Sequence, residues 1–199
     1  MSHIRILHAS PDAPAVDVLA NDTLVAQNLS YRSFSEYLQL VPGTYNFKVY
    51  PAGNRTNPIV TSDVNIDPGT IATLAVVGRL ADPALQLIPE PKETIPPGQL
   101  KLRFAHFSPF TTNVDVYLNG ARLFSNVGYR EVSEYFAINP GSYTLELRPA
   151  SSDEVILTVP NQQLTAGKFF TTYFVGFVGG TPGLQLLLPL DGNTYIDPT

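Results

Sequence analysis

The sequence predicts an all-β chain: two tandem Ig-like antiparallel β-sandwich domains of about seven strands each. Three observations carry that expectation. The chain repeats itself at a constant offset, each repeat alternates apolar and polar residues with a period of two, and turn residues punctuate it roughly every 8–12 positions. No window shows the 3.6-residue period of an amphipathic helix. A closed barrel of similar strand count is the alternative architecture.

The repeat is the strongest of the three. Arg5-Ile6-Leu7-His8-Ala9-Ser10-Pro11, running on to Val16-Asp17-Val18, returns as Arg103-Phe104-Ala105-His106-Phe107-Ser108-Pro109 and Val114-Asp115-Val116. From Arg5 to Ala52 each residue aligns without a gap to the one 98 positions later, and about 19 of those 48 pairs are identical, enough to define two copies. A small length change follows. Asp67-Pro68-Gly69 then falls opposite Thr165-Ala166-Gly167, and Leu85-Gln86-Leu87 is paired with Leu184-Gln185-Leu186. Between the copies, Pro89 to Gly98 holds four prolines, which cannot donate to a sheet, so the stretch reads as a semi-rigid linker. The expected layout is residues 1–89, a linker over 90–98, and residues 99–199.

Each copy opens with a strand on which Ile4, Ile6 and His8 share one face and Arg5, Leu7 and Ala9 the other. Val16-Asp17-Val18 alternates, and Val114 to Leu118 runs into Asn119-Gly120, a strong hairpin signal that Asn21-Asp22 repeats more weakly. Phe34 to Leu40 reads as a strand ending at Pro42-Gly43, a type II turn with glycine supplying positive φ. Tyr45 to Tyr50 and Tyr143 to Arg148 alternate cleanly. Ile71 to Val77 and Phe169 to Phe177 are continuous apolar runs, suited to a central strand buried on both faces. Leu-Gln-Leu segments close each copy.

Composition bounds the function. Hydrophobic residues make up 44% and charged residues 15%, a globular composition. A net charge of −5 offers no basic stripe for phosphates and excludes nucleic acid as a partner. The absence of cysteine excludes disulfides and thiolate metal sites. Met1 to Arg5 lacks the basic n-region and long apolar run of a signal peptide. No apolar run approaches the roughly 20 residues of a transmembrane helix.

The segment His8-Ala9-Ser10-Pro11-Asp12-Ala13-Pro14-Ala15-Val16-Asp17-Val18, with the later Val41-Pro42-Gly43-Thr44-Tyr45, closely resembles the bacterial DUF4397 family, a domain of unknown function. The resemblance covers nearly the whole chain as two tandem copies. It implies an exported, cell-surface or envelope-associated context and no particular activity. The second copy departs after Ser108-Pro109, where Phe110-Thr111-Thr112-Asn113 replaces Asp12-Ala13-Pro14-Ala15, so any role of the Asp12 loop is expected in the first copy alone.

His8 and Ser10 beside Asp12 or Asp17 invite a Ser-His-Asp reading. A serine before proline is more simply a turn start, and a histidine ending an apolar face is more simply a core-edge group. The carboxylates with one imidazole per copy match no EF-hand or zinc spacing, so neither a metal nor any other cofactor is expected. Glu36 and Glu134 share strand parity with apolar neighbours and need partners, a rim position or a bulge. The expectation is a structural polar cluster of Arg5, His8, Asp17, Arg32 and Glu36, repeated as Arg103, His106, Asp115, Arg130 and Glu134. An exposed rim position for Glu36 is the alternative. Tyr31, Tyr37, Tyr45 and Tyr50 offer a stacking surface for sugars, though tyrosine more often packs beside such sheets.

These readings point to a non-enzymatic structural or interaction protein of the cell surface, envelope or an extracellular assembly. It would act through a protein partner or self-association, by strand addition at sheet edges or through residues 192–199 as a docking arm. A carbohydrate- or ligand-binding module is the alternative, and a hydrolase using His8 and Ser10 a lesser one.

Overall fold

A computed structural model describes residues 1–197. Among them the chain divides into two compact units, one of residues 1–92 with the described end of the chain from Tyr195, the other Glu93–Thr194. Each unit is a sandwich of two four-stranded sheets.

In the first unit the strands are β1 (Ser2–His8), β2 (Val16–Ala20), β3 (Thr23–Leu29), β4 (Leu38–Leu40), β5 (Gly43–Pro51), β6 (Val60–Ile66), β7 (Ile71–Arg79) and β8 (Asp82–Pro89). One sheet has the order β4-β1-β7-β8, the other β3-β2-β5-β6. The second unit repeats this with β9 (Leu100–His106), β10 (Val114–Leu118), β11 (Ala121–Val127), β12 (Phe136–Ile138), β13 (Gly141–Pro149), β14 (Leu157–Leu164), β15 (Phe169–Val175) and β16 (Gln185–Leu187). Its sheets run β12-β9-β15-β16 and β11-β10-β13-β14. The eighth strand per copy is β6 and its counterpart, where Ser62 stands in an apolar slot and blurs the alternation.

The two sheets of each unit close on one core. In the first, Ile4 and Ile6 of β1 and Ala72, Leu74 and Val76 of β7 meet Val16, Val18, Phe47 and Val49 of the facing sheet. In the second, Phe104 stacks on Phe124 and Phe174 at centroid separations of 6.2 and 6.3 Å. The pairing is antiparallel except that β1 runs parallel to β7 and β9 to β15. That agrees with the continuous apolar run of β7, whose first eight residues are all buried.

Local chemistry sets the turns. Asn21 and Asp22 have φ of 46° and 65°, and Asn119 and Gly120 of 47° and 82°, so both hairpins take the doubly left-handed turn that matches strand twist. Pro42-Gly43 is not the expected type II turn. β4 and β5 belong to different sheets, so the pair makes a bend between layers and Gly43 already opens β5. Pro68-Gly69 is the tighter turn, with Gly69 at φ 73° and the Thr70 amide donating to the Asp67 carbonyl at 3.3 Å.

The length changes between copies resolve in the ladders. Leu74, Ala75 and Val76 pair with Leu87, Gln86 and Leu85, whereas Tyr173, Phe174 and Val175 pair with Leu187, Leu186 and Gln185. Leu85-Gln86-Leu87 is therefore equivalent to Leu186-Leu187-Leu188, not to Leu184-Gln185-Leu186. Residues 176–184 supply the extra length in a looser hairpin than residues 78–83.

Both hairpins leave a glycine whose φ is left-handed, Gly78 at 87° and Gly176 at 92°. A Cβ on Gly78 would run into the Asp82 carbonyl, and one on Gly176 into the Gly183 carbonyl. Gly176→Ala is expected to destabilise the second unit by about 2 kcal/mol or more, read as a lowered thermal midpoint in calorimetry.

Candidate functional site

The polar residues shared by the two copies do not form one cluster in either unit. They separate into three sites.

The first is a buried network around Arg5, which points away from the Ile4/Ile6 face. Its Nε donates to the Thr73 hydroxyl at 2.8 Å and its Nη2 lies 3.4 Å from the Glu90 carboxylate. Thr73 donates to the same Glu90 oxygen at 2.7 Å, and the Tyr37 hydroxyl donates to the other at 2.6 Å. The guanidinium carbon lies 4.7 Å from the Phe34 ring centroid and 4.9 Å from that of Tyr37. Arg5, Thr73 and Glu90 are 4%, 0% and 2% exposed, so these charges are balanced inside the protein. The second unit rebuilds the network: Arg103 Nε donates to Thr171 at 2.8 Å, and Thr171 and Tyr135 donate to Asp191 at 2.5 and 2.6 Å.

The carboxylate in this site is therefore Glu90, not Glu36. Glu36 and Glu134 are exposed. The parity argument fails because residues 35–37 are not strand. The Ser35 hydroxyl accepts from the Ile6 amide at 2.8 Å and donates to the Glu36 carbonyl at 2.8 Å, turning the Glu36 side chain outward. Glu90 falls at the start of the expected linker, yet its amide donates to the Ile71 carbonyl at 2.7 Å and extends the β7–β8 ladder. Asp191 likewise donates to the Phe169 carbonyl at 3.0 Å. Residues 192–194 form a short 3₁₀ turn and Thr194 Oγ1 accepts from the Phe169 amide at 2.9 Å. That part of the expected docking arm is thus built into the second unit, while Pro198 and Thr199 lie outside the described residues.

The second site holds His8 and Ser10, both 0% exposed, as are His106 and Ser108. His8 Nε2 sits 2.9 Å from the Pro14 carbonyl, and Nδ1 accepts from the Ser10 backbone amide at 3.4 Å. Those partners assign the Nε2–H tautomer. Burial holds the His8 and His106 pKa values below the usual histidine range. Arg32 takes a left-handed φ of 71° and donates its amide to the His8 carbonyl at 2.8 Å, while its side chain is exposed. Arg130 repeats this at φ 67° and 2.7 Å. The serine hydroxyl makes no bond to the imidazole: Ser108 Oγ donates to the Gly176 carbonyl at 2.6 Å, and Ser10 Oγ is buried with no hydrogen-bond partner among the described residues. A buried histidine with both nitrogens engaged by backbone groups cannot take a proton from an incoming nucleophile. The His8/Ser10 hydrolase reading is overturned.

The third site is a cap on a bulge. Asp17 Oδ1 accepts from the Asn28 amide at 2.8 Å and Oδ2 from the Gly53 amide at 3.1 Å. Asn28 is left-handed, at φ 48°, where the β2–β3 register shifts. The amide bonds, that of Asn28 above all, hold the Asp17 pKa below the usual carboxylate range. Asp115 accepts from Asn126 at 2.7 Å and from Arg122 at 3.2 Å.

The tyrosines do not form an exposed row. Tyr37 serves Glu90, the Tyr45 hydroxyl donates to the Val41 carbonyl at 2.8 Å, and Tyr50 and Tyr135 are buried. What differs between copies lies in the loop after β1. Asp12 accepts from the Leu80 amide at 2.7 Å and lies 3.3 Å from Arg79 Nε, tying the loop to the β7–β8 turn. Phe110, at the matching position, is 81% exposed with φ 60°. In the second unit, shallow depressions of about 430 and 400 Å³ flank Asn126, lined by Thr112, Asn113 and Ser151 on one side and Ser125, Glu131 and Ser133 on the other. Among the described residues no three His, Asp or Glu side chains gather as metal ligands, and no helix is long and apolar enough to cross a membrane.

A family model described as a domain of unknown function, DUF4397, matches residues 2–115 and 103–197. The chain belongs to the DUF4397 family. No curated protein matches it. Solved structures aligned to this DUF4397 chain are distant. A family 26 carbohydrate-binding module of Eubacterium rectale Amy13K, in complex with maltoheptaose, is 7% identical over 96% of this chain and 99% of its own, with a TM-score of 0.32. A streptococcal virulence factor described for α-glucan binding is 8% identical over 98% and 99%, with a TM-score of 0.30. A candidate cell-adhesion protein of Bacteroides ovatus is 14% identical over 94% and 96%, with a TM-score of 0.27. Similarity at that level carries no functional argument.

Two outcomes follow from the buried groups. Glu90→Gln is expected to cost about 3–5 kcal/mol by stranding the Arg5 charge, whereas Glu36→Gln changes stability by less than about 0.5 kcal/mol, both measured by urea unfolding. Because the folded pKa of Asp17 is depressed, its contribution is present above the ordinary aspartate pKa of about 3.9 and is lost as pH falls through the folded value. Because burial depresses His8 and His106, unfolding binds protons below about pH 6.5, so stability falls as pH drops from 7 toward 5. Asp17→Asn removes the lower limb of that pH profile and His8→Asn with His106→Asn flattens the upper one.

Proposed function

We propose that this DUF4397 chain is a non-enzymatic binding protein of the cell surface or an extracellular assembly, acting through contacts with a protein partner or its own copies. One observation carries the reading. The polar side chains that both copies keep and bury, among them Arg5, His8, Ser10, Asp17 and Thr73 with their counterparts, are closed off from solvent and are not open to a substrate. The accessible chemistry is that of sheet edges and loop tips, which are suited to recognition by backbone pairing and surface complementarity. The surface location rests on the family resemblance.

Phe110 favours a second reading. A bulky residue held exposed at positive φ is strained, and an exposed aromatic ring has the chemistry of saccharide stacking. A glycan array separates the two. The protein-contact reading expects no signal above background. Binding that Phe110→Ala abolishes would replace it with the glycan-binding reading.

A further inference from the structure

We infer that the first copy is an acceptor for N-linked sugar, attached at Asn21, Asn28 and Asn54 by transfer from a glycosyl diphosphate donor. The inference goes beyond the binding reading above and does not depend on it.

The sequence holds three Asn-X-Ser/Thr triplets with X other than proline: Asn21-Asp22-Thr23, Asn28-Leu29-Ser30 and Asn54-Arg55-Thr56. The triplet is an acceptor signature, and because a transferase must reach the amide it works only on an accessible turn or loop. Such triplets also recur by chance, and position in the fold separates usable ones from the rest. Here each asparagine is exposed, and so is each hydroxyl residue that completes its triplet. Asn21 begins the turn after β2 at φ 46°, and Asn28 sits at the β3 bulge at φ 48°. Asn54 lies in the β5–β6 loop, where its Oδ1 accepts from the Thr56 amide at 3.0 Å and draws the two ends of the triplet together. Asn21 Oδ1 accepts from the Asn46 amide at 2.8 Å, and among the described residues none of the three Nδ2 groups donates a hydrogen bond. The nucleophilic atoms are thus free.

The second copy shows which part of each triplet the fold requires. Asn119 and Asn126 keep the asparagine, because both positions need left-handed φ. Two residues on, they have Ala121 and Gly128 in place of Thr23 and Ser30. At the third position Ser152 replaces Asn54 and accepts from the Glu154 amide at 3.0 Å, so the turn survives while the triplet is lost. Thr23, Ser30 and Thr56 use their hydroxyls in no hydrogen bond among the described residues. The fold needs the asparagines and dispenses with the hydroxyls, and sugar transfer is a task that uses both. In that transfer Asn Nδ2 bonds to the anomeric carbon of the donor, whose C1–O bond breaks. The diphosphate leaves with the electron pair and one amide proton passes to a base of the transferase, so nothing is oxidised or reduced.

The full chain purified from its native host is expected to exceed its polypeptide mass by discrete sugar increments, which peptide mapping places on Asn21, Asn28 and Asn54. Thr23→Ala, Ser30→Ala and Thr56→Ala each remove one increment while leaving the asparagine in place. All three positions are exposed, and an unchanged thermal midpoint verifies that each variant is folded. Asn119 and Asn126, exposed but without the hydroxyl, stay unmodified. Cell-free synthesis identifies the donor: transfer by added host membranes marks a lipid-linked sugar, and transfer by soluble extract with nucleotide sugars marks a nucleotide-linked one. A host-derived chain at its bare polypeptide mass, increments that survive loss of the hydroxyls, or sugar on Asn119 or Asn126 would overturn the inference. These readouts follow covalent mass, so the outcome of the glycan array leaves them unaffected.

Discussion

A buried guanidinium needs a carboxylate, and in each sandwich that requirement links strands far apart in sequence. Arg5 projects from the first strand, Thr73 from the strand running parallel to it, and Glu90 from the end of the last. Tyr37 closes the far side of the carboxylate and covers the cation with its ring. An unpaired charge at this depth would cost several kcal/mol, so the network tolerates neither a slipped register nor a detached final strand. The parallel β1–β7 pair, the course of residues 34–37 and the ladder extension at residue 90 all meet there.

Much of this was legible in the amino-acid sequence because it depends on local rules. The repeat, the Asn-led hairpins and the doubly buried β7 sit in short windows where period and turn chemistry act directly. Parity misled at Glu36 because a single hydroxyl, that of Ser35, takes over backbone bonding and ends the regular strand. Proline content misled at Glu90: Pro89 and Pro91 lack amide protons, but the residue between them has one and uses it. The partnership of Arg5 with Glu90 spans 85 positions and leaves no trace in any short pattern.

The two copies share an interior and differ at the surface. Of the polar residues common to both, Arg5, His8, Ser10 and Asp17 are directed inward and held as internal groups rather than reagents, while Arg32 and Glu36 face outward. Differences collect outside: an aspartate tying down a loop in one copy is an exposed phenylalanine in the other, and an edge strand paired in unbroken register in one is broken by proline and a bulge in the other. Duplication supplied a second scaffold whose surface could diverge without disturbing the interior.

The hairpin after β15 is looser than its counterpart after β7, yet Asp191 reaches the same threonine and tyrosine positions that Glu90 reaches. The shorter aspartate arrives from a site three residues later in the repeat's own count. What has been kept across the duplication is thus a contact, not a residue. The final hairpin and its trailing acid behave as one interchangeable cassette, residues 71–90 in one copy and 169–191 in the other. Grafting between copies has to respect that joint, because a single-position exchange of the acids would leave one carboxylate short of its hydroxyls and crowd the other.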